Sequence, residues 1–259
     1  MARKKRAMTS EKAREVKIQG KLDEIEFAEL IGVKDAYEND IRAKKDVVDL
    51  CGDTHSVKGG KKKWQIFLYS KSRFETDIIF QRLNGLGLIF LECLSSFPDS
   101  YDDYQKNKSK YKNNLKKAMR KLCGKLQDEK TLRVFFMKSF FNAGEVQYLT
   151  IKENSEFLIF HRDDVLNIFV ANLDVENSRA RQSGQFDDQK VVFKLQSGVT
   201  LGEIEIRTDE KNYRRVKFWI SKNKTLELLK ENVVERKKLK DGLYVFGKAI
   251  KTFRRDCYK

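Results

Sequence analysis

The chain carries a single proline, Pro98, and has no low-complexity linker and no internal repeat, so nothing in its composition divides it into modules. Cysteines are few and scattered (Cys51, Cys93, Cys123, Cys257), no CxxC pair occurs, and there are only two histidines, His55 and His161. That scarcity argues against a zinc site and against a disulfide framework, and it predicts reduced thiols packed as small hydrophobes. No apolar run approaches the ~18 residues of a membrane span. The basic start, MARKKRAMTSEKAREVK, lacks the apolar stretch of a secretory signal. Both absences predict a cytoplasmic protein with no membrane partner.

What is present is charge of mostly one sign. Lys and Arg number 54 against 38 Asp and Glu, a formal net charge of +16. Charged residues make up 36% of the chain, above the typical ~25%. Such a balance points to a polyanionic partner, with nucleic acid first, because no lysine-rich amphipathic helix offers a membrane anchor. Hydrophobic content of 40% and aromatic content of 11% belong to a folded chain, and 259 residues suffice for one large domain or two small ones.

Hydrophobic spacing orders the chain as follows. Residues 1–17 read as a charged arm and 21–33 as a largely buried helix. Strands are expected at 46–50, 54–58 and 64–69, then a helix over 72–82 stopped by Asn84-Gly85. Residues 86–94 are apolar and suit either a strand or a buried helix. A long basic helix is expected over 101–128, an apolar helix over 131–141, strands at 146–152 and 156–161, and a short helix after Arg162. The polar stretch 174–189 reads as a long loop. Strands at 191–195, 201–207 and 213–220 alternate as an antiparallel meander, followed by a helix at 224–231 and a basic tail. The pattern predicts a mixed α/β (α+β) fold.

The stretch 45–69, KKDVVDLCGDTHSVKGGKKKWQIFLY, carries the densest chemistry. Phosphodiester hydrolysis needs a metal to activate water or polarise the phosphate, carboxylates to hold it, and a cation facing the charge that develops. Magnesium keeps several waters, so one or two carboxylates suffice. Asp46 supplies a carboxylate and Lys58 the cation, while Ser56, two residues before the lysine, is a poorer ligand than an acid would be. Glu26 and Glu29, three apart on the preceding helix, are the best further donors. Asp49 is a rival to Asp46, Asp53 a further donor if the turn is tight, and Gln65 suits the orientation of water or phosphate. The bland alternative is a plain hairpin with charged ends. His55 fits a structural or DNA-facing role better than that of a general base.

These residues resemble the PD-(D/E)XK superfamily of restriction-endonuclease-like nucleases over about residues 19–70. The match runs through Glu26, Asp46-Val47-Val48, Ser56-Val57-Lys58 and Gln65. The resemblance implies a catalytic αβββ core with a mixed central sheet flanked by helices. It maps the family's metal-binding Asp to Asp46, its helix Glu to Glu26 and its catalytic Lys to Lys58. Ser56 departs from the family's Asp or Glu. A type II restriction enzyme is then expected: Mg2+-dependent, cutting double-stranded DNA, and paired with a cognate DNA methyltransferase. Two-fold symmetric sites commonly take a homodimer, and a monomer nicking twice is the alternative.

On this reading residues 1–95 form the catalytic core and 96–259 the portion that recognises DNA and contacts phosphates. Lys61, Lys62 and Lys63 follow the glycine pair and suit phosphate neutralisation. Arg179 and Arg181 lie in the polar stretch, which could enter a groove. Glu203, Glu205 and Arg207 alternate on one strand face, and Arg214, Arg215 and Lys217 follow on the next strand. Together they read either as a recognition sheet or as cross-strand ion pairs. The alternatives are a non-enzymatic basic nucleic-acid-binding protein and an RNA-processing nuclease. HNH-type chemistry is disfavoured by two isolated histidines.

Overall fold

The computed structural model describes residues 9–39, 47–60 and 62–253. The fold is mixed α and β, with two separate sheets. The chain forms two compact units: Met1–Lys61, Glu145–Asp164 and Val233–Lys259 compose the first, and Lys62–Gly144 with Val165–Asn232 the second. The chain thus enters the first unit three times. No helix among the described residues is long and apolar enough to cross a membrane.

The first unit opens with α1 (Ser10–Leu30), whose N-terminus is capped by Thr9 accepting the Lys12 N–H at 3.2 Å. Its first three turns are exposed, and its last turns bury Phe27 and Ala28. After α2 (Lys34–Asn39) come β1 (Val47–Val48) and β2 (Thr54–Lys58), an antiparallel hairpin with Val47 opposite His55. The strand expected at 46–50 is short because Asp49 leaves the ladder to organise the turn. Its Oδ1 accepts the backbone N–H groups of Cys51 and Asp53, each at 2.9 Å. Asp46 and Lys61 lie outside the described residues.

Four more strands complete this sheet: β4 (Tyr148–Glu153), β5 (Glu156–His161), β10 (Arg236–Lys240) and β11 (Leu243–Phe246), in the order β1-β2-β4-β5-β11-β10. β2 runs parallel to β4, and β5 parallel to β11. The basic tail is therefore not a tail. Its apolar Leu243, Val245 and Phe246 add a strand to the sheet, and α11 (Ala249–Thr252) closes the unit. The core on the α1 face gathers Phe27, Val57, Tyr148, Phe157, Ile159 and Val245.

The third strand of the motif, β3 (Lys63–Tyr69), does not join this sheet. It pairs with β9 (Val216–Ser221) at the edge of the second sheet, ordered β3-β9-β8-β7-β6 and antiparallel throughout. Among the described residues β3 does not continue the β1–β2 hairpin, so the αβββ core is not confirmed.

In the second unit, the helix expected over 72–82 divides into α3 (Lys71–Thr76) and α4 (Ile78–Arg82) at Asp77, whose carboxylate caps α4. Residues 86–94 settle as α5 (Leu86–Ser95), burying Leu86, Phe90, Cys93 and Leu94 at helical spacing. The long basic helix breaks at Asn107 into α6 (Tyr101–Lys106) and α7 (Lys108–Leu126). α8 (Glu129–Phe141) follows, capped by Asp128 and ended by Asn142 in the left-handed region. Phe135 and Phe136 pack against Phe218 and Phe193 with centroids 5.3 Å apart in each pair. α9 (Arg162–Asn172) leads into β6 (Leu173–Arg179), β7 (Phe186–Leu195) and β8 (Thr200–Ile206), and α10 (Lys222–Asn232) follows β9.

The stretch 174–189 is not a loop but most of a hairpin. Leu173, Val175 and Asn177 alternate inward, which is strand periodicity carried by only two apolar residues. A strand–strand–helix unit also recurs, as β4-β5-α9 and β8-β9-α10, where sequence comparison suggests no repeat. Cys93 and Cys123 are free and buried, as expected, and burial raises their pKa values to about 12 and about 11. Cys51, by contrast, is disulfide-bonded, a pairing that spacing alone does not signal.

Candidate functional site

Register and pleat decide which residues of the hairpin can act together. Directly paired residues share a sheet face. His55 pairs with Tyr148 and Val57 with Thr150, placing them on the face covered by α1. Ser56 pairs with Leu149 and Lys58 with Ile151, placing them on the opposite face. Glu26 of α1 lies over the first face, where its Oε2 meets Lys152 Nζ at 2.5 Å. Glu26 and Lys58 are thus on opposite sides of the sheet. Ser56 is buried, and Gln65 is exposed on β3 of the second unit.

Lys152 also holds Asp23, Nζ to Oδ1 at 2.8 Å, and Gln19 Nε2 donates to the same oxygen at 3.0 Å. Desolvation would lower the Lys152 pKa, but the hydrogen bonds from Nζ to Asp23 and Glu26 outweigh it and hold the ammonium above its ordinary value. Asp23 is buried at 3% exposure, and its carboxylate lies against the backbone of Gly59. A Cβ at Gly59 would stand 1.8 Å from Asp23 Oδ2, so only glycine fits after Lys58. The first glycine of the GGKKK loop therefore admits a carboxylate. Asp23 and Lys152 escape sequence reading because their pairing spans 129 positions.

On the same face, Asp49, the rival metal ligand, is buried and committed. Its Oδ2 stands 3.4 Å from His55 Nε2, and His55 Nδ1 is 2.9 Å from Thr150 Oγ1. Burial would raise the Asp49 pKa, but the His55 hydrogen bond and the Asp53 and Cys51 amides bring it below the ordinary value. His55 is fully buried, stacked on Tyr148 with centroids 4.7 Å apart, which fits a structural role. Asp53 Oδ2 accepts from the Tyr148 hydroxyl at 3.4 Å. Among the described residues, no group of three or more His, Cys, Asp or Glu side chains could hold a metal ion.

The polar face of the second sheet is an ion-pair ladder. Lys190 Nζ lies 2.8 Å from Glu203 and 3.2 Å from Glu205, while Glu205 also meets Arg207 at 3.0 Å and Lys217 at 3.5 Å. Burial works against the charged forms of both Lys190 and Glu205. The Glu203 contact nevertheless raises the lysine, and the Lys190 charge lowers the glutamate. Lys63 Nζ sits 3.1 Å over the Trp219 ring. Arg214 is likewise occupied, donating to the Leu94 carbonyl at 3.3 Å and pairing with Asp99. Arg215 and Lys62 are exposed.

Uncommitted positive charge concentrates on α7. Its sequence, KSKYKNNLKKAMRKLCGKL, holds eight Lys and Arg and no acid. Leu115, Met119, Leu122 and Leu126 bury one stripe. Arg120 meets Asp188 at 3.1 Å and Lys121 meets Glu92 at 2.7 Å. Lys108, Lys110, Lys112 and Lys117 are exposed and have no carboxylate partner among the described residues. The hairpin tip between β6 and β7 adds exposed Arg179 and Arg181. Comparison of the chain with protein-family models, with curated proteins and with solved structures finds no match.

Proposed function

We propose that this protein is a magnesium-dependent, sequence-specific endonuclease that cuts double-stranded DNA, of the type II restriction kind. The observation that carries the reading is the β1–β2 hairpin laid against α1, with Lys58 as the last residue of β2 and a glycine pair directly after it. That is where a cation at a scissile phosphate is wanted. The net charge of +16 and the open lysines of α7 supply the phosphate contacts such a substrate requires.

The described donors do not compose a magnesium site by themselves. Glu26 is held by Lys152 and lies across the sheet from Lys58, and Ser56 is a buried, neutral hydroxyl. The resemblance assigns the cation to Asp46, which lies outside the described residues. What Lys58 contributes on this reading is a fixed positive charge beside the phosphate. Mg2+, when bound, would supply an activated water or a polarised phosphate.

A second reading, a non-enzymatic DNA-binding protein, draws support from the same engagement of Asp23, Glu26 and Asp49 by partners of their own. Incubation with plasmid and phage DNA, in magnesium with and without EDTA, separates the two. Discrete fragments lost in EDTA support the nuclease. A salt-sensitive mobility shift with no cutting in either condition replaces it with the binding protein.

A further inference from the structure

We propose that the β6–β7 ribbon is the base-reading element of the DNA interface: its tip enters the major groove while lysines of α7 hold the flanking phosphates. This rests on the DNA-binding reading and adds to it which element reads sequence.

The tip is built rather than loose. Ala180 N–H donates to the Gln185 carbonyl at 2.7 Å, and Gly184 N–H to the Ala180 carbonyl at 2.9 Å, with Gly184 at φ +67°. Below it, Ser178 Oγ accepts the backbone N–H groups of Gln189 at 3.1 Å and Lys190 at 3.0 Å. The shoulder is tied to the basic helix twice, by Gln189 Nε2 donating to the Lys112 carbonyl at 2.9 Å and by the Arg120–Asp188 pair at 3.1 Å. Ribbon and α7 therefore form one surface.

The chemistry of the tip suits bases more than water. From Arg179 to Phe186 the sequence RARQSGQF holds two arginines, two glutamines and no acid. Phe186 is 52% exposed, and the Arg179 guanidinium lies 3.9 Å from its ring centroid, a cation–π pair at the surface of the tip. A two-stranded ribbon fits the major groove. There arginine pairs with the O6 and N7 of guanine, glutamine with the N6 and N7 of adenine, and an apolar side chain meets the thymine methyl. The lysines of α7 meet phosphates of any sequence.

The test is site selection from a pool of randomised duplexes, with calcium in place of magnesium so that bound DNA is not cut. It compares the full-length wild type, the tip variant Arg181→Ala/Gln182→Ala, and the helix variant Lys108→Ala/Lys110→Ala/Lys112→Ala. The wild type should enrich a defined sequence. The tip variant should lose roughly tenfold or more of the discrimination between that sequence and random duplex, with its salt dependence unchanged. The helix variant should bind both duplexes more weakly and with a shallower salt dependence. A tip variant that enriches the same sequence with full discrimination overturns the proposal, and so does a wild type that binds DNA without enriching any sequence. If none of the three proteins binds any duplex, the DNA-binding reading itself has failed, and the role of the ribbon fails with it.

Discussion

The two sheets handle charge in opposite ways. On the α1 face of the first, the buried polar groups have specific partners: Asp49 meets His55 and two amides, His55 meets Thr150, and Asp23 meets Lys152 and Gln19. In the second, charges crowd one face and share partners, so that Glu205 alone meets Lys190, Arg207 and Lys217. A buried group with a dedicated partner has nothing to replace it, whereas a member of a half-exposed network does. Single substitutions should therefore be costly among these buried groups and cheap on the polar face of the second sheet.

The largest effect is expected from Asp49→Ala. It strands His55 inside an aromatic cluster and two turn amides without an acceptor, at a cost of about 3 kcal/mol. Urea denaturation reads this directly, and a loss near that of a surface substitution would break the contrast. The same residue sets an acid limb. Its folded pKa lies below its unfolded value of ~3.9, so its contribution is complete above that pH and is lost as pH falls through the folded value. Asp49→Asn should flatten the fall in denaturation midpoint between about pH 5 and pH 2. An unchanged acid limb would assign it to other carboxylates.

Gly59→Ala comes next, because its Cβ would collide with the buried Asp23 carboxylate. We expect a loss of about 2 kcal/mol, read as a shift in melting temperature. Asp23→Ala should make the alanine at 59 far less harmful, and a double-mutant cycle showing no coupling would contradict the contact. In the second sheet, Glu205→Gln should cost about 1 kcal/mol or less, since its three cations keep Glu203, Asp209 and solvent as partners. The smallest change is Lys117→Ala on α7. It should leave stability within about 0.5 kcal/mol while weakening DNA retention at low salt.

Much of the element order is legible in the sequence because local periodicity fixes it. The β-rich runs of β7, β8 and β9 stand out by their apolar residues between polar turns, α8 carries helical spacing with a cap at each end, and α10 buries Leu226 and Leu229 at helical spacing. Long-range partner choice is not legible. β2 and β3 are consecutive in sequence yet enter different sheets, because β3 matches Phe67 and Trp64 to β9 rather than to the hairpin. The β6–β7 ribbon hid behind its polar outward face. At the site, the hairpin and its Lys58 follow from the residues, but the capture of Glu26 by Lys152 depends on a contact 126 positions apart. No local pattern encodes it.

The claim that matters most is that Lys58 serves cleavage. The most direct measurement sets Lys58→Ala beside the wild type, with plasmid cutting in magnesium and duplex binding in calcium read on the same preparations. The account predicts that the variant binds DNA about as well as the wild type and no longer cuts it. Equal cutting by Lys58→Ala would contradict the assignment of the hairpin as the site of chemistry.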